Sequence, residues 1–275
     1  MKIFGVDFSG AQDAGRKTWI CTAEMDGDAL QIVSCARYQD FPGGSRATDA
    51  MTAGLCRLLI RSQPAIWGMD FPFSLPRDRI AYPTWDEFAR HFADDYPLSD
   101  DFWHKERDSR WRQTDIETKT PLTPCNLRLY RQTYYGIRDV LAVTCVDQPI
   151  RPNDGDWRHD DIPPQPVARA VPMQTPSADK HSLIEICPAV TLKRLQHYRP
   201  YKGQAEERQQ MRALILQYFE QHENVRVSPT LRPILISDKD GDALDAVIAA
   251  YATWKALPML AEPVVPIYRL EGKVY

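Results

Sequence analysis

Apolar and polar positions fall into three regimes along this chain. At the start the pattern is short and β-like. Ile3 to Phe8 reads as a strand, and Thr18 to Met25 and Leu30 to Tyr38 read as two more. The latter pair is joined by Asp26-Gly27-Asp28-Ala29, whose Asp-Gly step favours a tight hairpin. Met51, Leu55, Leu58 and Leu59 then recur at helical spacing before Gln63-Pro64. Ala65 to Phe71 follows, an apolar run short enough for a buried strand.

The middle regime is less regular. Thr84-Trp85-Asp86-Glu87 has the form of a capping box and opens a short helix toward Phe92. From Asp94 to Pro124 the chain is polar, charged and aromatic without a clear period. Leu127, Tyr130, Tyr134, Ile137 and Leu141 mark one stripe of a helix over about 126–143. Gln148 to Pro176 carries seven prolines and reads as extended loop.

Order returns with a strand over Ser182 to Cys187, followed by a helix with Pro188 in its first turn and Val190, Leu192 and Leu195 apolar. A second helix turns Met211, Leu214, Ile215, Tyr218 and Phe219 inward. Leu231 to Ile236 reads as a short strand, Ala243 to Leu257 as a helix of small residues, and Val264 to Tyr275 as an edge hairpin. These regimes divide the chain into an α/β core in two parts, 1–76 and 182–275, separated by an insertion over 77–181.

Composition narrows the chemistry. No run of about 18 apolar residues suggests a membrane span, and the N-terminal residues lack the apolar stretch of a secretion signal. Six cysteines are scattered without a Cys-x-x-Cys pair, which disfavours a zinc ribbon or a disulfide scaffold. A cytoplasmic, reducing setting follows. Lysine and arginine number 34 against 37 acids, so no overall basic field announces nucleic acid. No HExxH, Walker A, GxGxxG or Gly-x-Ser-x-Gly motif is present.

What remains is a set of isolated carboxylates. Ile3-Phe4-Gly5-Val6-Asp7-Phe8 is echoed by Ile66-Trp67-Gly68-Met69-Asp70-Phe71. Side chains alternate along a strand, so Gly5 shares a face with Asp7, and Gly68 with Asp70. A buried carboxylate needs a cation, a donor or a metal. If the two strands are parallel neighbours, the aspartates stand side by side, and a hard divalent ion such as Mg²⁺ or Mn²⁺ relieves their repulsion. Glu185 interrupts the apolar strand Leu183 to Cys187. Asp242 and Asp245 lie three apart, on one face of the small-residue helix. Taken singly, each acid is at least as well explained by capping or ion pairing; the conjunction favours a shared metal site.

Four of these segments carry a resemblance: Gly5 to Ala11, Met69 to Pro76, Ile184 to Ala189 and Asp242 to Ala246. They resemble the domain-of-unknown-function family 429, predicted nucleases of the RNase H-like (RuvC-like) fold. Trp111 to Asp115, Asn126-Leu127-Arg128 and Tyr201-Lys202-Gly203 are similar to that family as well. The resemblance implies an α/β fold with a mixed five-stranded sheet flanked by helices, Asp7 central and Asp70 on the adjacent parallel strand. It also implies catalytic or metal-ligating roles for Asp7, Asp70, Asp242 and Asp245, with Glu185 a further ligand candidate. The long insertion departs from a minimal RNase H fold.

The chemistry expected of such a site is hydrolysis of a phosphodiester in nucleic acid or a nucleotide. Two divalent ions about 4 Å apart would serve it, with Ser9, Lys17, Arg112 and Lys202 as candidate substrate contacts. The segment His104 to Arg112 interleaves bases with aromatics, yet surrounding acids make a solvated loop the better reading. Asp7-Phe8-Ser9-Gly10 also suits the phosphate turn of sugar kinases and actin-like ATPases, and a non-catalytic scaffold stabilised by metal is a third reading.

Overall fold

The structure is a computed structural model and describes residues 1–147 and 163–275. The expected loop from Gln148 lies partly outside these residues. In chain order the first elements are β1 (Lys2–Asp7), the short helix α1 (Ala14–Lys17), β2 (Trp19–Asp26), β3 (Ala29–Arg37), α2 (Thr48–Arg61) and β4 (Ile66–Met69). The middle region adds α3 (Trp85–Asp95), α4 (Ser99–Glu106), α5 (Gln113–Thr118), α6 (Tyr130–Tyr135) and α7 (Ala142–Thr144). Then come β5 (Ala168–Val171), β6 (His181–Glu185), α8 (Pro188–Arg194), α9 (Glu206–His222), β7 (Val225–Val227), α10 (Leu231–Ser237), α11 (Asp242–Ala256) and α12 (Tyr268–Glu271).

One mixed sheet runs in the order β5-β6-β4-β1-β2-β3-β7. β1, β2 and β3 are antiparallel, whereas β4 pairs parallel to β1, and β6 parallel to β4. The fold is thus α/β, with seven strands among the described residues rather than the expected five. The additional strands are short edges, β5 beside β6 and β7 beside β3. Their sequences, Ala-Arg-Ala-Val and Val-Arg-Val, are too brief to establish a period. β5 lies within 77–181, so the sheet draws one strand from that segment.

Three further expectations are corrected. Leu231 to Ile236 is helical, because Pro233 sits in the first turn of α10, where its missing N–H costs nothing, whereas inside a strand it would break the ladder. Val264 to Tyr275 forms no hairpin: α12 ends at Gly272, which has φ 79°, and Val274 makes a single parallel bridge to Glu185. The helix expected from about residue 126 begins at Tyr130, leaving Leu127 exposed. It passes through a π-helical turn, Gly136–Leu141, into α7. On α9, Ile215, Leu216 and Phe219 are buried but Leu214 faces outward. The capping box is observed, with Thr84 Oγ1 accepting from the Glu87 N–H.

Strand parity sorts the two cores. Val6, Phe8, Trp67, Met69 and Leu183 face a core shared with α2 and the helices of the middle region. Ile3, Cys21 and Ile32 face the other way, against α9 and α11. α11 lies almost on the sheet, and two glycines permit it. A Cβ at Gly5 would overlap Ala246 O and Ala250 N, and one at Gly68 would overlap Thr253 Oγ1. No helix among the described residues is long and apolar enough to cross a membrane.

Gly5→Ala tests this contact. Backbone atoms oppose the new methyl, so α11 must shift, and a loss of about 1–3 kcal/mol or more is expected in urea denaturation. Unchanged stability would show that α11 does not approach β1 this closely.

Candidate active site

Parity carries the glycine contact forward to the carboxylates. Gly5 lies under Ala246 and Ala250, so Asp7, two residues further along the same face of β1, meets the preceding turn of α11. That turn begins after Gly241, whose φ of 78° suits glycine. Asp238 secures it, its Oδ2 accepting from the Ala243 N–H at 3.1 Å. Asp242 and Asp245 therefore stand over Asp7. One oxygen from each of Asp7, Asp242 and Asp245 lies within 4.8 Å of the others.

Asp70 reaches the same region from β4. Gly5 pairs in register with Gly68 and Val6 with Met69, and the Asp70 N–H continues the ladder to Val6 O at 2.9 Å. Asp70 is outside the tight trio, but its charge is felt by Asp7. Among the described residues the cation at the trio is Lys202, whose Nζ lies 2.6 Å from Asp245 and 3.2 Å from Asp242 and is half-exposed. Tyr201 donates its hydroxyl to Asp245 at 2.5 Å. Buried Arg212 on α9 fixes this loop by donating to the carbonyls of Tyr201 (2.6 Å) and Gly203 (3.2 Å).

The electrostatics are unbalanced. Burial raises the proton affinity of Asp7 well above the ordinary carboxylate value; Asp242, Asp245 and Asp70 add to the effect while Lys202 opposes it. Asp70 is raised well above normal by burial and then by Asp245, and Asp242 is raised by burial against the pull of Lys202. One ammonium thus leaves the set short of positive charge. Close carboxylate oxygens short of positive charge fit a hard divalent cation such as Mg²⁺ or Mn²⁺.

Glu185 does not join this set. It pairs in register with Met69, one residue before Asp70, so the pleat turns it toward the opposite face. There it accepts from Arg112 Nη1 at 2.8 Å and Nη2 at 2.5 Å, and from the Phe73 N–H at 3.0 Å. Arg112 also donates from Nε and Nη2 to Asp115. Instead of a free contact for a phosphate, Arg112 is a buried structural cation with both sides occupied. The same guanidinium reaches the Glu271 carbonyl, and the Glu271 carboxylate accepts from the N–H groups of Arg77 and Gln113. Segments near residues 77, 112, 185 and 271 are thereby clamped together.

The carboxylates open into a cleft of about 720 Å³ whose lining includes Asp7, Asp70, Ser9, Lys202, Asp242 and Asp245. Ser9 shapes the turn after β1: its N–H donates to Thr18 Oγ1 and its Oγ accepts from the Ala11 N–H. Lys17, on α1, is not part of the cleft lining. Sequence reasoning passed over Arg212, Tyr198 and Arg199. Arg212 gave no signal, being an arginine on a helix that reads as polar-faced. Tyr198-Arg199 precedes Tyr201-Lys202, and that aromatic-basic pairing was the available clue.

Two outcomes follow. The folded-state pKa values of Asp7, Asp70 and Asp242 lie above the unfolded value of about 3.9, so the folded protein keeps protons that the unfolded chain has released. The resulting penalty is absent below the unfolded value and grows as pH rises through the folded ones. Metal-free protein should therefore become less stable as pH rises from the unfolded carboxylate value through the raised folded ones, and Mn²⁺ should raise Tm most at the upper end of that range. Asp7→Asn should raise the metal-free Tm at neutral pH and remove the response to Mn²⁺; melts in EDTA and in Mn²⁺ check both. Separately, Arg112→Met strands Glu185 and Asp115 in the interior and should cost about 3–5 kcal/mol in urea denaturation. No protein-family model, curated protein or solved structure matches this chain.

Proposed function

We propose that the chain is a metal-dependent phosphodiester hydrolase, a nuclease of RNase H-like fold working in the cytoplasm, as its resemblance to the domain-of-unknown-function family 429 implies. The observation that carries this reading is the convergence of Asp7, Asp242 and Asp245 to within 4.8 Å, with Asp70 on the neighbouring parallel strand. Divalent ions held there would supply Lewis-acid activation of water and charge relief at the leaving oxygen.

The chain's own groups divide the remaining work. Asp7 would be the central ligand, because it faces both α11 acids and stands beside Asp70. Asp242 and Asp245 would add oxygens from the helix side and Asp70 from the sheet side. Tyr201 and Lys202 orient Asp245 from the loop that Arg212 anchors, and the half-exposed ammonium of Lys202 is available to a phosphate oxygen. Water adds to phosphorus as the bond to the leaving oxygen breaks; the water's proton passes through a carboxylate to solvent, and the leaving oxygen takes a proton from solvent to depart as the alcohol.

The actin-like phosphotransferase reading draws less support. Its phosphate turn would be Asp7 to Gly10, yet a Cβ at Gly10 would overlap the backbone of Arg131 and Gln132, and Gln132 donates to the Phe8 carbonyl. α6 covers the turn where a phosphate would have to sit. A panel of single-stranded, duplex and branched DNA and RNA with Mg²⁺ or Mn²⁺ tests the hydrolase. Asp7→Asn should abolish turnover, by at least about a hundredfold, while keeping the fold; full activity in that variant would overturn the assignment.

A further inference from the structure

Six carboxylates and four cations line the cleft. Two of those cations have carboxylate partners, Arg112 with Asp115 and Glu185, and Lys202 with Asp242 and Asp245 beside the reacting phosphate. Arg128 and Arg199 are different: both are exposed, and neither guanidinium has a carboxylate partner among the described residues. They stand on separate segments of the lining. Arg128 lies just before α6 in the middle region, and Arg199 lies between α8 and α9, three residues before Lys202.

Beside Arg199 is Tyr198, which is 49% exposed and also part of the lining; Lys193 Nζ lies 5.3 Å from its ring centroid. An open ring next to an unpaired guanidinium offers a stacking surface and a phosphate contact together. The cleft opens to solvent, and its volume of about 720 Å³ is that of a site for a small ligand or a short stretch of single strand, well below what a turn of duplex occupies. A lone phosphate would use one cation near the carboxylates. Two unpaired arginines on different segments suit a chain with further phosphates beyond the reacting one.

Resting on the hydrolase reading, we infer that the cleft takes an unpaired polynucleotide strand, with Arg128 and Arg199 contacting phosphates away from the scissile one and Tyr198 stacking on a base. The strand runs past the carboxylates, and duplex is excluded unless its end frays. Neither arginine touches the reacting atoms, so both are binding residues and not catalytic ones.

The test reads binding without turnover. Fluorescence anisotropy of labelled oligothymidylate and oligouridylate of about 12 nucleotides is measured with wild-type protein in EDTA and in Ca²⁺, over a range of salt. Arg128→Ala and Arg199→Ala should each weaken binding about three- to tenfold, and each should lower the slope of log affinity against log salt by about 0.7. A merely structural role would leave that slope alone. Binding of either oligonucleotide that depends on both arginines supports the inference, and a blunt duplex of equal length should compete poorly. Binding that is absent, unchanged in both variants, or as tight for duplex would overturn the inference. The hydrolase reading fails separately, by lack of turnover in the nuclease panel while strand binding keeps its dependence on both arginines.

Discussion

The close seating of α11 on β1 and β4 governs the rest of the molecule. A helix normally stands off a sheet by the thickness of two side-chain layers. Here Gly5 and Gly68 remove one layer, and Ala246, Ala249 and Ala250 thin the other. The backbones meet, and the helix's first turn comes down onto the carboxyl ends of the strands. The site is a direct extension of that packing: the parity that puts Gly5 under α11 also puts Asp7 under Asp242 and Asp245. Packing on the apolar side thereby sets the distances on the acidic side, and stability and site geometry are two readings of one contact.

Charge is handled in opposite ways on the two faces of the sheet. On the α11 face the acids outnumber their cation, and burial together with mutual repulsion raises the proton affinities of Asp7, Asp70 and Asp242. On the other face, Glu185 and Asp115 flank one guanidinium, and each of its nitrogens finds a carboxylate. The first arrangement holds a charge deficit at the cleft, where an external cation can reach it. The second is closed and serves as structure. Isolated acids in apolar strands can therefore mean different things a few ångströms apart, and what separates them is the presence of a committed cation.

Much of this was legible in the sequence, for local reasons. The echo between residues 3–8 and 66–71 conveyed two strands with a glycine and an aspartate on one face. The alanines around Asp242 and Asp245 conveyed a helix able to sit close. Glu185 was misjudged because its face depends on register against Met69, which no single strand reveals. Arg112 looked available because Asp115 and Glu185, three and 73 positions away, meet it only in the folded chain. The two edge strands were too short to carry a period, and α10 was hidden by apolar residues that suit a strand until Pro233 is weighed. Glu185 and Arg112 were missed because their partners are set by tertiary pairing, whereas α10 and the segment after Val264 were missed locally, where apolar residues suited a strand and Pro233 and Gly272 were not weighed.

The clamp around Arg112 has a kinetic meaning. Its guanidinium joins Glu185, 73 residues on, and the Glu271 carbonyl, 159 residues on. Contacts separated by such lengths require large loops to close before they stabilise anything. The antiparallel strands β1 to β3 face no such delay, being neighbours in sequence. Like the parallel pairings of β6 with β4 and of β7 with β3, the clamp that fixes this wall of the cleft closes only when segments far apart in sequence have met, so the cleft shares the entropic cost of the sheet's outer strands and not the ease of its hairpin.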